Sequence, residues 1–316
     1  MNPKTHGIHH ITAIAGDPQK NVDFYVGILG LRMVKKTVNF DDLYTYHLYY
    51  GDENGSPGTI MTFFPWTSKA RHGRVGVGQL TVTSFSIPAG AMGYWIDRVN
   101  KHDIDFKGPG SRFEEEVLTF HDPDGIELEL VCSATESRAG WDNGQIPLEN
   151  SIRGFYHVTL SEEGYERTAG LMETHLGFHK VNESGNRLRL ASGERGPGTF
   201  VDILSLPDAQ PGIMGVGAVH HVAWRISDAN SQLDIRDYLL QVGYEVTPVM
   251  DRFYFHSIYF REPGGVLFEI ATDPPGFTVD EEIEKLGTDL KLPDWLEEKR
   301  SVIEENLLPI TLPGKR

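Results

Sequence analysis

The sequence predicts an α+β fold of four βαβββ modules, closed in pairs as two half-barrel-like domains. Three observations carry that prediction. A short strand opened by histidine recurs along the chain, a turn and helix follow it at a repeated interval, and a Gly-led strand closes each repeat. Each unit is roughly fifty to seventy residues long, and self-similarity on that scale marks a repeat architecture. One helix per four strands leaves one sheet face uncovered, and pairing two units is the economical way to cover it.

The first module opens with Gly7-Ile8-His9-His10-Ile11-Thr12-Ala13-Ile14, a β-branched and apolar run. Asp17-Pro18 then starts a helix, with Asp as the cap and Pro at the first helical position. Phe24, Tyr25, Ile28 and Leu29 give that helix its apolar side, and Gly30-Leu31 stops it. After the β-rich run Thr45-Tyr46-His47-Leu48-Tyr49-Tyr50, the module closes with Gly58-Thr59-Ile60-Met61-Thr62. The second module has a degenerate opening, Gly78-Gln79-Leu80-Thr81-Val82-Thr83, and closes with Gly125-Ile126-Glu127-Leu128-Glu129. A polar, Gly-containing stretch at residues 133–151 reads as the linker.

The third module opens with Gly154-Phe155-Tyr156-His157, continues through a helix bearing Leu171 and Leu176, and closes with Gly198-Thr199-Phe200-Val201-Asp202. Gly177 follows His157 at the interval by which Gly30 follows His10. The fourth opens with Gly217-Ala218-Val219-His220-His221, carries an aromatic run from Phe253 to Phe260, and closes with Gly265-Val266-Leu267-Phe268-Glu269. Domains are accordingly expected at 1–145 (modules one and two) and 146–272 (modules three and four). Residues 273–316 follow as an acidic tail with a helix over 294–305, whose Trp295, Leu296 and Ile303 suit packing on a domain. Whether this tail covers a cavity is open at the level of sequence.

The 316 residues are 39% hydrophobic and carry a formal charge of −16, enough for a substantial core. Such an acidic balance argues against nucleic acid or an anionic membrane as partner, since both need basic surface. The single cysteine, Cys132, excludes an intrachain disulfide and any CxxC motif, and its neighbours suggest a buried, inert thiol. With no signal-like segment after Met1 and no run of membrane-spanning length, a cytoplasmic protein is expected.

Aligning the repeats gives one first-strand position, His10, Gln79, His157 and His221, and one closing position, Thr62, Glu129, Asp202 and Glu269. Pairing modules one and four brings together His10, His221 and Glu269, with Thr62 as a poor fourth ligand. Two imidazoles and a carboxylate on one face suit non-heme Fe(II), while imidazole alone also suits Zn, Cu and Ni. Modules two and three offer the weaker set Gln79, His157, Glu129 and Asp202, expected to be a structural remnant. Pairing in chain order would instead split the ligands, His10 with Glu129 and His221 with Glu269. The first pairing is preferred because it yields one complete set.

These residues carry a resemblance that runs almost end to end. The openings His9-His10-Ile11-Thr12 and His220-His221, the run from Arg261 to Glu269, Tyr46-His47-Leu48-Tyr49-Tyr50, Gly55-Ser56-Pro57-Gly58-Thr59 and Leu286-Gly287-Thr288-Asp289-Leu290-Lys291 resemble the vicinal oxygen chelate superfamily. Within it, the chain is most similar to the hydroquinone-type ring-cleaving dioxygenases. The resemblance implies Fe(II) on His10, His221 and Glu269, a small aromatic substrate and O2, and supporting roles for His9, Thr12, His220, Arg252 and Tyr259. Thr12 shares the strand parity of His10 and should face the cavity. His9 and His220 have the opposite parity and need a bulge or a reach around the strand edge. For Arg252 a surface ion pair, and for Tyr259 a place in the core, are the plainer readings. A glyoxalase-like isomerase or thiol transferase using Zn, Ni or Mn as a Lewis acid is the chief rival. A non-catalytic aromatic-binding protein is the third reading, and a homo-oligomer is compatible with all of them.

Overall fold

The computed structural model describes residues 4–67, 70–142 and 145–314. Residues 1–3, 68–69, 143–144 in the linker and the last two of the tail lie outside them. Module one comprises β1 (Ile8–Ala15), α1 (Pro18–Val22), β2 (Arg32–Asn39), β3 (Asp42–Gly51) and β4 (Ile60–Pro65). Module two comprises β5 (Gln79–Pro88), α2 (Met92–Lys101), β6 (Phe106–Arg112), β7 (Glu115–His121) and β8 (Glu127–Ser133). Module three follows as β9 (Gly154–Glu162), α3 (Glu166–Leu171), β10 (Phe178–Ser184), β11 (Arg187–Ser192) and β12 (Phe200–Ser205). Module four is β13 (Ala218–Ile226), α4 (Ala229–Gln241), β14 (Met250–Asp251), β15 (Phe255–Arg261) and β16 (Leu267–Pro275).

Two eight-stranded sheets result, ordered β14-β15-β16-β13-β1-β4-β3-β2 and β10-β11-β12-β9-β5-β8-β7-β6. Modules one and four share the first sheet and modules two and three the second, as the preferred pairing requires. At each seam the two opening strands run antiparallel, and each pairs in parallel with its own closing strand. The opening strands are therefore central in their sheets, which explains why β1 and β9 are buried along their whole length.

Asp17 caps α1 as expected, accepting hydrogen bonds from the backbone of Gln19 and Lys20. The helix then widens into a π turn over Asp23–Ile28, and module three repeats this at Met172–Leu176. Helices meet in pairs: Arg98 of α2 donates to the carbonyls of Gly27 and Ile28, and His175 is hydrogen-bonded to Tyr238 of α4.

The tail helix is broken into α5 (Asp294–Glu297) and α6 (Arg300–Asn306). The tail covers the open edge of the first sheet. Lys291 N donates to Lys36 O on edge strand β2, and the fully buried Lys35 ammonium pairs with Asp280 and Glu281, each at 2.6 Å. Gly287 passes so close to this edge that a Cβ there would lie 2.0 Å from Met33 O, so only glycine fits. An edge strand left open would be a template for association, and this strap removes it.

Candidate metal centre

The seam between β1 and β13 contains two bulges, one at each histidine pair. Ile8 faces Trp224 and His10 faces Ala223, leaving His9 as the extra residue on β1. Thr12 faces His221 and Ala13 faces Val219, leaving His220 as the extra residue on β13. A bulge of this kind breaks the strict alternation of a strand. The parity that separates His9 from His10 and His220 from His221 is thereby overcome. His9 Nδ1 lies 2.9 Å from His10 Nδ1, and His220 Nδ1 lies 2.8 Å from His221 Nδ1.

The second sheet has the same two bulges, at Thr81 and Tyr156. That corrects one alignment drawn from sequence: the position after the bulge is Val82, not Gln79, and Gln79 instead holds the backbone N–H of Gly76. The other first-strand and closing positions stand in the expected register, with Thr12 beside Thr62 and Ala223 beside Glu269.

His10, His221 and Glu269 offer one ligand atom each, all within 4.8 Å of one another and all buried, and among the described residues no other group of three does so. Glu269 Oε2 lies 2.9 Å from His221 Nε2 and 3.3 Å from His10 Nε2, and the two Nε2 atoms are 3.4 Å apart. Yet Oε2 accepts no hydrogen bond. Burial lowers the pKa of His9 and His220 to about 3, so both rings are neutral and each has a nitrogen able to accept the Nδ1 proton of its neighbour. In that tautomer His10 and His221 turn bare Nε2 lone pairs toward a bare carboxylate oxygen. Three acceptors converging without a proton need a cation, and the residues fit a metal on this ground. The remaining oxygen of Glu269 is held by the Ser257 hydroxyl. Burial opposes the Glu269 charge, but a positive partner on the His10 and His221 nitrogens, proton or metal, holds the carboxyl well below its usual range.

A cavity of about 350 Å³ opens onto this cluster. Phe40, Phe64, Trp66 and Phe255 give it flat apolar walls, and Thr12, His220, Arg252 and Tyr259 line it as well. Arg252 Nε donates to Tyr259 OH at 3.2 Å and its Nη1 to Asp41 Oδ2 at 3.1 Å, so it is both an ion pair and a wall of the cavity. Burial disfavours the guanidinium charge, but Tyr259 and Asp41 more than offset that. Tyr259 is likewise both packed and exposed to the site, beside the His221 ring at 5.7 Å. His9 is set behind the cluster against Phe255 and does not line the cavity. The tail contributes at the mouth, where Trp295 packs edge-on against Phe40 and against Phe253, whose φ of 70° is unusual for a bulky side chain.

One residue facing the cavity was not singled out from sequence. His47, on β3, is hydrogen-bonded through Nε2 to Thr62 Oγ1 at 2.8 Å and through Nδ1 to Tyr49 OH at 2.7 Å. The repeat contains its signal. Tyr49 stands opposite Thr62 as Tyr259 stands opposite Glu269, so His47 holds the place of Ser257.

Comparison with known proteins agrees with this geometry. The model of the Glyoxalase/Bleomycin resistance protein/Dioxygenase superfamily matches residues 7–130 and 154–270. MhqO of Bacillus subtilis, provisionally named a ring-cleaving dioxygenase, is 48% identical over 98% of this chain and 98% of its own length. A chlorohydroquinone/hydroquinone 1,2-dioxygenase of Sphingobium indicum is 35% identical over 93% of each chain. A crystal structure from Bacillus subtilis, titled provisionally as a dioxygenase, superposes with a TM-score of 0.94 at 49% identity and 98% coverage of both chains. Maize glyoxalase I shares the fold at a TM-score of 0.61 and 15% identity, covering 84% of this chain and 92% of its own. The chain belongs to the glyoxalase/bleomycin resistance protein/dioxygenase superfamily.

Proposed function

We propose that the protein is an Fe(II)-dependent, extradiol-type dioxygenase that opens a hydroquinone or catechol-like ring with O2. The observation that carries this reading is the three-ligand cluster whose open side faces an aromatic-walled cavity, with Thr62 where a fourth ligand, a second carboxylate, would stand. The relatives support it, since the Sphingobium protein named above bears the name of a hydroquinone-cleaving enzyme. A glyoxalase-like site fits less well, because Thr62 leaves the fourth protein position unfilled.

In this reading His10, His221 and Glu269 hold the metal, which when bound supplies a redox centre able to bring diol and O2 together. The chain's own residues do the rest. Phe40, Phe64, Trp66 and Phe255 clamp the ring and exclude water. Arg252, kept charged by Tyr259 and Asp41, stabilises negative charge that develops on substrate oxygens. Tyr259 and the neutral His220 line the same space and handle protons there. His9 acts from behind, fixing the His10 ring through Nδ1. A cytoplasmic location fits, given the single thiol and the absence, among the described residues, of any helix long and apolar enough to cross a membrane.

The test is anaerobic loading with Fe(II), then oxygen uptake with hydroquinones and catechols by wild type and Glu269→Gln. Wild type should consume O2 and yield a ring-opened product, and the variant should lose at least ~100-fold of that rate. Iron binding without oxygen uptake on either substrate class would overturn the reading, and Lewis-acid assays with Zn or Ni would follow.

A further inference from the structure

Beside the metal cluster, on the same face of the sheet, lies a run of hydrogen bonds that ends at Thr12 in the cavity. Tyr49 OH is 2.7 Å from His47 Nδ1, His47 Nε2 is 2.8 Å from Thr62 Oγ1, and Thr62 Oγ1 donates to Thr12 Oγ1 at 3.1 Å. Thr62 and Thr12 are completely buried and Tyr49 is 1% exposed. Burial above all, with the charges around the site, keeps the His47 ring neutral, so it has one N–H to give and one lone pair to offer.

The direction of the run follows from its inner end. Tyr49 has one hydroxyl proton and is buried, and a buried O–H without an acceptor is costly. Its acceptor is His47 Nδ1, which puts the ring proton on Nε2. That proton goes to Thr62 Oγ1, and the Thr62 hydroxyl proton is then free for Thr12. Thr12 already accepts at its oxygen, so its own proton points to a new acceptor. Thr12 lines the cavity, and its backbone stands opposite His221 and two residues along the strand from His10.

We infer that His47 and Thr62 are positioning residues that hold the Thr12 hydroxyl as a hydrogen-bond donor toward the oxygen of a diol bound at the metal centre. Such a donor favours the deprotonated oxygen over the neutral hydroxyl, and a fixed donor does so without reorganising when substrate arrives. The replacement of a carboxylate by Thr62 thus does two things. It leaves the fourth ligand position free, and with His47 in the Ser257 position it builds a donor facing that space. This inference rests on the ring-cleaving reading of the site.

Two measurements test it separately from that reading. The first is long-range ¹H–¹⁵N NMR of the full-length chain, metal-free and loaded with diamagnetic Zn(II). His47 should be the Nε2–H tautomer, and Thr62→Val should shift its Nε2 resonance. An Nδ1–H tautomer would reverse the run and overturn the inference whatever the enzyme does. The second is steady-state kinetics of the Fe(II)-loaded enzyme. Thr62→Val and His47→Phe should each raise KM for hydroquinone roughly tenfold with metal content unchanged, and the double variant should be no worse than either single one. Thr62→Ser and His47→Gln, which restore a donor, should recover most of the affinity. An unchanged KM in Thr62→Val, or additive losses in the double variant, would sink the relay. Absence of oxygen uptake by wild type would sink the ring-cleaving reading instead, and the tautomer would then decide the relay.

Discussion

Where Glu269 faces a cavity in the first sheet, Glu129 and Asp202 face arginines in the second. Arg112 donates through both terminal nitrogens to Glu129, at 2.7 and 2.8 Å. Arg189 forks onto Asp202 at 2.6 and 2.9 Å and also reaches Glu115, while Arg187 adds a further bond to Asp202. His157 remains at its ligand position, 3.4 Å from Glu129, with Ser84 opposite it across the seam and Val82 where the first sheet has His10. Met250 opposite Ser257 corresponds to Gly110 opposite Val117, so Arg252, two residues on from Met250, holds the place of Arg112 in the second sheet. A guanidinium, always charged and planar, answers a buried carboxylate as a metal would, and it excludes one. The repeat therefore supplies a buried acid in both sheets, and the chemistry is decided by whether a cation is built into the chain or left to be bound. In the first sheet Arg252 is kept from that role because Tyr259 and Asp41 engage it.

Breaking this contrast in the open sheet should give the largest effect. Replacing His47→Ser together with Thr62→Glu copies the Ser257 and Glu269 arrangement into module one. The doubly substituted protein should retain bound metal by elemental analysis and lose at least ~100-fold of oxygen uptake, because the fourth position is then filled. Retained uptake would show that the free position is not what separates the two sheets.

In the closed sheet the effect should fall on stability. Arg112→Met leaves Glu129 buried and short of a partner, a loss of about 3 kcal/mol for a pair broken on one side, readable in a denaturant midpoint. It also carries a pH signature. In the wild type His157 and Arg112 overcome the burial penalty, and the Glu129 carboxyl is held well below its usual range; Asp202 is lowered likewise. A depressed folded-state pKa gives stability that is present above the unfolded carboxylate pKa, about 4, and is lost as pH falls toward the folded value. The contribution of the Glu129 pair should therefore be lost only on acidification below about pH 4, on top of the loss that the buried neutral His9 and His220 impose below about pH 6.5, and relative to wild type Arg112→Met should begin to lose the Glu129 contribution at higher pH. An acid transition that does not move would remove the ion pair from the account.

The smallest change should come at the mouth. Asp41 is 67% exposed and its pair with Arg252 should contribute little to folding, so Asp41→Asn should alter stability by less than about 0.5 kcal/mol. It should nonetheless change KM, because it frees the Arg252 guanidinium to meet substrate. Equal KM values would reduce Asp41 to a surface charge.

Much of the centre was legible in the chain because its marks are local. The doubled His-His pairs, the glycines that open each module and the acids at the closing position lie within short runs, and they led to His10, His221 and Glu269. What escaped depends on register across strands. The bulge at Thr81 moves the equivalent position from Gln79 to Val82, and no single strand records that. Arg112, Arg187 and Arg189 come from β6 and β11, and only the assembled sheet brings them to Glu129 and Asp202. His47 was hidden for a similar reason, since its role lies in facing Thr62 and Tyr49 rather than in its own neighbours in sequence. The tail was likewise undecided until its contacts with Lys35, Phe40 and Phe253 defined it as a strap at the edge and mouth.

The pairing of first module with last also sets an order in time. During synthesis His10 leaves the ribosome long before Glu269. The second sheet, from adjacent modules and carrying its cations covalently, is complete well before that. It can serve as a folded platform while the histidines of β1 wait for β13 and β16. A nascent chain thus holds only part of the three-residue cluster until β13 and β16 arrive, and the cluster is completed only once the fold that restrains it is nearly whole.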